Sequence, residues 1–458
     1  MPLLVTVFAG LSLVGYFSLF QARYCDFRAF YCSGSVTLAG ADAYREHPLH
    51  ECEQSLPPHF LSSLPAEVTI PAPYPGYALA LFSLVARLPF DTAVIVWTLG
   101  SCFALGAAIV TIARLTATPL PATAVVLAFP AAIVSLPLGQ PALLVLFAIA
   151  ACAALLHGGR PRCAALAALV TAIDPHVGLA VCLGLFVAVS RARPILLAGA
   201  GILLAGSILA YGPAREWEYL HDVLPLHSLV NVPEFSQYSV ANLAFGAGLS
   251  RGVALLAGNV WYALSLVVGV VVACRLRPRL GTSAVAFVPV AFAVFGGAHT
   301  HLQQLSLAIP AFLLLTSAAS GRRRALFAVA TFAAAMPWLV AAPFVYLFPA
   351  TALLGIVFAR CMKTPRIGMA LGAGSFVVLT LLYLAVAGSH AVATPIAAPQ
   401  GGNPLAEVAW GSFVNATSLP AQAWFFAGKI PTLLGFGVML TALAAAARTR
   451  AKSDPVPA

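Results

Sequence analysis

Charge is the scarcest property of this chain. Asp and Glu number 14 and Lys and Arg 24 among 458 residues, so charged residues make up 8% where soluble domains carry about 25%. Hydrophobic residues make up 61% and the mean hydropathy is +0.95. No soluble core can bury that much apolar surface, so the solvent for most of the chain is lipid. Strand-type alternation is absent and Leu, Ala, Val and Phe dominate, which excludes an outer-membrane barrel and leaves helices as the spanning elements. No basic run is interleaved with aromatics, so the net charge of +10 carries no nucleic-acid reading; it is the Arg excess of the cytoplasmic loops of a membrane protein. No CxxC pair and no His/Cys zinc spacing occurs, and neither a cofactor nor a metal is expected. A basic n-region and a small-x-small cleavage site are both missing around the apolar run Leu3 to Phe20, which is therefore expected to stay as the first span.

The expected fold class is an all-α polytopic membrane protein. Apolar runs fall at 2–20, 75–88, 91–113, 119–137, 140–157, 163–190, 194–212, 252–274, 283–298, 301–319, 324–342, 344–360, 367–387 and 429–447, a bundle of about 12–14 transmembrane helices. The run 163–190 is interrupted at Asp174-Pro175-His176. Ionisable residues at membrane depth are costly and usually line a cavity, which makes Asp174 and His176 cavity candidates. Arg clusters at 191/193, 275/277/279, 322–324, 360/366 and 448/450 mark the cytoplasmic side. Loops 21–74, 213–250 and 388–428 and the turn at 299–301 then share the other side. The expected division is a catalytic module at 1–250, a C-terminal module at 251–447 and a cytoplasmic tail at 448–458. The Ala- and Arg-rich composition reads as bacterial, and the expected location is the cell membrane.

The first loop holds several of the few acids. Asp26-Phe27-Arg28-Ala29-Phe30-Tyr31 leads through Gly34 and Gly40 to Asp42-Ala43-Tyr44. A carboxylate where a helix leaves the bilayer can take a proton from an attacking hydroxyl, and partial burial raises its pKa toward the working range. Asp26 is the candidate base, weighed against a structural ion pair with Arg23 or Arg28. Cys25, Cys32 and Cys52 share this loop, and two of them can pair if it lies outside the cytoplasm; the spacing does not say which two.

The order of motifs resembles glycosyltransferase family 87 of the GT-C superfamily over about residues 1–320. The carriers are the first-loop pattern above, Pro73-Tyr74-Pro75 heading the second span, Trp97 in the third, Pro137-Leu138-Gly139-Gln140 between two helices, Ser236-Gln237-Tyr238-Ser239 with Asn242-Leu243, and Gly297-Ala298-His299-Thr300-His301. Gly76 and Asp174 depart from the pattern, standing where a second proline and a lysine are common. The resemblance implies a GT-C-like bundle that moves a hexose such as mannose from a polyprenyl-phosphate-linked donor to a lipid or glycan acceptor. It implies Asp26 as the catalytic base. His299, His301, Arg28, Tyr31, Asp42, Tyr74, Gln140, Asp174, His176 and Gln237 are the substrate-binding candidates, with His299 expected to matter more than His301. The competing readings are a transporter or flippase of polyprenyl-linked lipids and an inactive paralogue.

Overall fold

The computed structural model describes residues 24–57, 68–297, 299–387, 403–417 and 422–448. The expected first span, Arg23 and much of the loop 388–428 lie outside them. Among the described residues every regular element is a helix, and the only β-type pairings are two isolated bridges, Arg45 with Leu405 and Gln237 with His301. The protein is an all-α, multi-pass membrane protein.

The apolar helices fall into two sets. Among the described residues six are long and apolar enough to cross a membrane: Phe90–Leu115, Leu120–Leu138, Ser190–Tyr211, Arg251–Leu280, Pro365–Ala385 and Gly428–Arg448. Seven more run for only 10–17 residues, which at about 1.5 Å per residue falls short of a hydrocarbon core of about 30 Å. The short helices include those most enclosed by protein. Ala284–Gly296 is buried along nearly its whole length, whereas Arg193–Tyr211 exposes Leu197, Ile202, Leu204 and Leu209 to its surroundings. Incomplete helices at membrane depth are stable where other protein covers them, and the long helices supply that cover. The run 163–190 divides as its Asp-Pro pair predicts: Pro161–Val170, a 3₁₀ turn Thr171–Ile173, extended backbone at Asp174, then Pro175–Ala188.

The first loop is itself helical and held down. Helix Cys25–Leu38 lies along Gly76–Val85 at a distance that only glycine permits, since a Cβ on Gly34 would sit 2.4 Å from the Phe82 carbonyl carbon. Phe30 stacks on Phe82 at 5.0 Å between centroids. Cys32 and Cys52 form a disulfide that ties this helix to Glu46–Ser55, and the buried ion pair Arg28–Glu53 at 3.3 Å joins the same two helices. The pairing leaves Cys25 free. Closing a loop across a separation of 20 residues is worth about 3 kcal/mol of chain entropy. Cys32→Ser is therefore expected to lower resistance to thermal unfolding in detergent clearly, and thiol labelling of the wild type without prior reduction should leave Cys32 and Cys52 unmodified; labelling of both would remove the bond.

Candidate active site

The site forms where three segments distant in sequence meet. The first is the start of helix Cys25–Leu38. The Tyr24 N–H donates to the Pro137 carbonyl at 2.6 Å, and Phe27 packs on Trp97 at 5.2 Å. Trp97 Nε1–H donates to the Gly139 carbonyl at 2.8 Å. Gly139 has φ +73°, and a Cβ there would meet the Phe27 Cβ at 2.5 Å, so both its backbone conformation and its crowding require glycine. This fixes the next residue, Gln140, whose Nε2–H donates to Asp26 Oδ2. The other Asp26 oxygen accepts from Cys25 Sγ at 3.4 Å. Burial pushes the Cys25 thiol well up, so it stays a proton donor.

Asp26 is half-buried. Burial raises its carboxyl above the ordinary carboxylate value; the Gln140 hydrogen bond and the electrostatic influence of His301 pull it back, and Glu234 pushes it up again. An ion pair of Asp26 with Arg28 does not form, because Arg28 is 4% exposed and engaged with Glu53.

The second and third segments pair with each other. Tyr238 N–H donates to the Thr300 carbonyl at 2.7 Å and Leu302 N–H to the Ser236 carbonyl at 3.1 Å, which lays 236–238 along 300–302. Gln237 locks the turn. Thr300 N–H donates to its Oε1 at 2.9 Å, which fixes the amide orientation, because a backbone N–H can only donate. The amide nitrogen therefore faces His299 Nδ1 at 2.9 Å and His301 Nε2 at 3.3 Å. His301 turns its other nitrogen, Nδ1, to Ser236 Oγ at 3.2 Å and Glu234 Oε2 at 3.5 Å. The His299 ring lies 4.4 Å from that of His301 and 4.9 Å from that of His227. Burial and the neighbouring imidazoles hold His299 well below the usual histidine range, and His227 falls to about 3 for the same reasons. At neutral pH His299 is uncharged; its Nδ1 accepts from the Gln237 amide, which leaves Nε2–H as its donor.

Asp174 and His176 form an ion pair at 3.0 Å where the helix is broken. Asp174 also accepts from Gln304 Nε2 at 2.7 Å, and Gln304 Oε1 accepts the His301 N–H at 2.9 Å. The broken helix and the histidine turn are thus joined by one side chain. Tyr74 stands in the electrostatic field of both Asp174 and Asp26 and is raised well above its ordinary value, chiefly by burial.

Of the expected site residues, Gln237, His299, His301, Asp174 and His176 form one contact network, and Asp26 with its partner Gln140, and Tyr74, lie within electrostatic reach of it. Three lie apart from it. Arg28 faces Glu53. Tyr31 donates to the Leu88 carbonyl at 2.9 Å and packs edge-on against Phe90. Asp42 accepts from Tyr44 N–H at 3.0 Å and Tyr211 Oη at 3.1 Å, and pairs with Arg45 at 3.4 Å. Their contacts are those of residues that shape the first loop. Glu234 and Gln304 were not singled out by the sequence. Glu234 was visible as the one acid in the segment 224–250, and Gln304 as the residue three after His301, where it completes a capping box. Among the described residues no group of three or more His, Cys, Asp or Glu is arranged to hold a metal ion.

An all-helical membrane bundle with a carboxylate, amide and imidazole cluster at one end has the groups that sugar transfer requires. The family model of glycosyltransferase family 87 matches residues 73–296, just under half of the chain. The matched family is the one that the motifs resemble, and the match supports a membrane glycosyltransferase in general. No curated protein and no solved structure matches it. Asp26, His299 and His301 all fall outside the matched segment, while Gln140, Asp174 and Gln237, which contact them or their neighbours, fall inside it.

Proposed function

We propose that the enzyme transfers a hexose, mannose in the simplest case, from a polyprenyl-phosphate carrier to a lipid or glycan hydroxyl on the non-cytoplasmic face of a bacterial cell membrane, in a GT-C-like bundle. The observation that supports this reading is that Asp26, bonded by Gln140, lies within electrostatic reach of His301 and Glu234. In the reaction, the acceptor oxygen bonds to the anomeric carbon while its proton passes to Asp26. The bond from that carbon to the phosphate oxygen breaks, and its electron pair leaves with the polyprenyl phosphate. Asp26 is suited to this task because burial lifts its carboxyl toward neutral pH while Gln140 orients it. His299, an uncharged N–H donor, and His301 are assigned to the phosphate, where charge accumulates as the sugar leaves. The disulfide in the first loop supports a non-cytoplasmic location for this face, since such bonds persist in oxidising compartments.

The test is transfer by purified protein of radiolabelled mannose from polyprenyl-phosphate-mannose to a membrane-lipid acceptor extract. Labelled product is expected to accumulate without net movement of the carrier across reconstituted vesicles. Carrier translocation without product would replace this reading with that of a flippase.

A further inference from the structure

One lysine reaches the site from outside the family-matched segment. Lys429 stands near the start of helix Gln422–Arg448 and is 0% exposed. Its Nζ donates to the Gln237 carbonyl at 2.5 Å and to Asn242 Oδ1 at 2.7 Å, and lies 5.4 Å from the Tyr238 ring centroid. Asn242 in turn donates through Nδ2 to the Val232 carbonyl at 2.7 Å and the Glu234 carbonyl at 3.0 Å. Lys429 Nζ therefore holds the backbone of Gln237 directly and that of Glu234 through one side chain. Those two residues carry the groups facing His299 and His301.

We propose that Lys429 is a positioning residue for sugar transfer, fixing the segment 234–238 so that Gln237 and Glu234 set the His299 and His301 rings. The proposal rests on the glycosyltransferase reading of that turn. Helix Gln422–Arg448 would then be part of the catalytic apparatus and not only lipid-facing cover. Burying an ammonium costs several kcal/mol unless it is fully hydrogen-bonded, and a well-packed apolar side chain of similar volume is often as stable or more so. Stability alone thus gives little reason for a lysine here, whereas holding a carbonyl and a side-chain oxygen at fixed separation needs a donor. A displacement of about 1 Å in a catalytic group costs on the order of 10²-fold in rate, so a loop held from below by one side chain is a sensitive point.

Lys429→Met keeps the length of the side chain and removes the donor; Lys429→Gln keeps a donor. In the mannose-transfer assay, Lys429→Met is expected to lower kcat by about 10²-fold with the acceptor KM unchanged, and Lys429→Gln to recover part of that loss. Hydrogen exchange supplies a readout that does not depend on activity. The amides of Tyr238, Thr300 and Leu302, whose bonds join the two segments, should exchange faster in Lys429→Met, while amides later in helix Gln422–Arg448 keep wild-type protection. Where Lys429→Met does not fold, Asn242→Ala, which removes one of the lysine's acceptors, should loosen the same three amides. Wild-type exchange at these amides in a folded variant, or wild-type kcat in Lys429→Met, overturns the proposal. Absence of transfer by the wild type would instead overturn the glycosyltransferase assignment of the turn and leave the exchange result to stand on its own.

Discussion

Asp26→Asn is expected to lower kcat by about 10²–10⁴-fold, the usual worth of a positioned general base, while the protein folds and purifies as the wild type does. The asparagine keeps the size of the side chain and an oxygen for the Gln140 amide, and loses only the capacity to take a proton. Folding should be indifferent, because Arg28, the nearest cation along the helix, is committed to Glu53. Linkage points the same way. Burial raises the Asp26 carboxyl, so its ionised form is disfavoured in the folded state, and any stability it contributes is present at low pH and lost as pH rises through the raised value. Removing the charge should therefore not destabilise the protein at neutral pH. The wild-type kcat/KM should fall as pH is lowered through the same raised value, giving an acidic limb above the ordinary carboxylate range. Well-folded Asp26→Asn protein with near-wild-type turnover would end the assignment.

The membrane class could be read from composition alone, because a chain so poor in charge has one solvent available to it. The motif glycines could be read as places, but their reasons lie across the fold: Gly34 lets its helix touch Phe82, and Gly139 packs on Phe27 beside Gln140. Other features were legible as places and not as partners. The break at Asp174-Pro175 is written in the sequence, but its connection to His301 through Gln304 spans 130 residues in sequence. Three loop cysteines gave no pairing until helices Cys25–Leu38 and Glu46–Ser55 were set side by side. Among the described residues six apolar helices are full-length and seven are short, because hydropathy registers burial in lipid and burial in protein alike. Lys429 stood at the head of an apolar run with nothing nearby to explain it; its partners lie 192 and 187 residues away.

The two histidines are expected to separate in kinetics, and in an order that the sequence did not suggest. His301→Ala should be the more damaging change, lowering transfer at neutral pH by about 10²–10³-fold, the range seen when one preorganised donor is removed from a site of developing charge. It is His301 that acts electrostatically on Asp26, and His301 that faces Glu234 at 3.5 Å. Its removal takes away a group that lowers the Asp26 carboxyl and leaves Glu234, which raises it. The acidic limb of the pH–rate profile should then move to higher pH, an effect that a general loss of folding would not produce. His299→Ala should act differently. That ring is uncharged and sits between His301 and His227, so its loss should appear mainly as a higher donor KM with the acidic limb in place. Glu234→Gln supplies the control of sign. It removes the carboxylate that raises Asp26, so its acidic limb should move to lower pH, opposite to that of His301→Ala. If His301→Ala and Glu234→Gln shift the limb in the same direction, or neither shifts it, Asp26 is not the group that the profile reports, and the acid–base role passes to the Asp174–His176 pair.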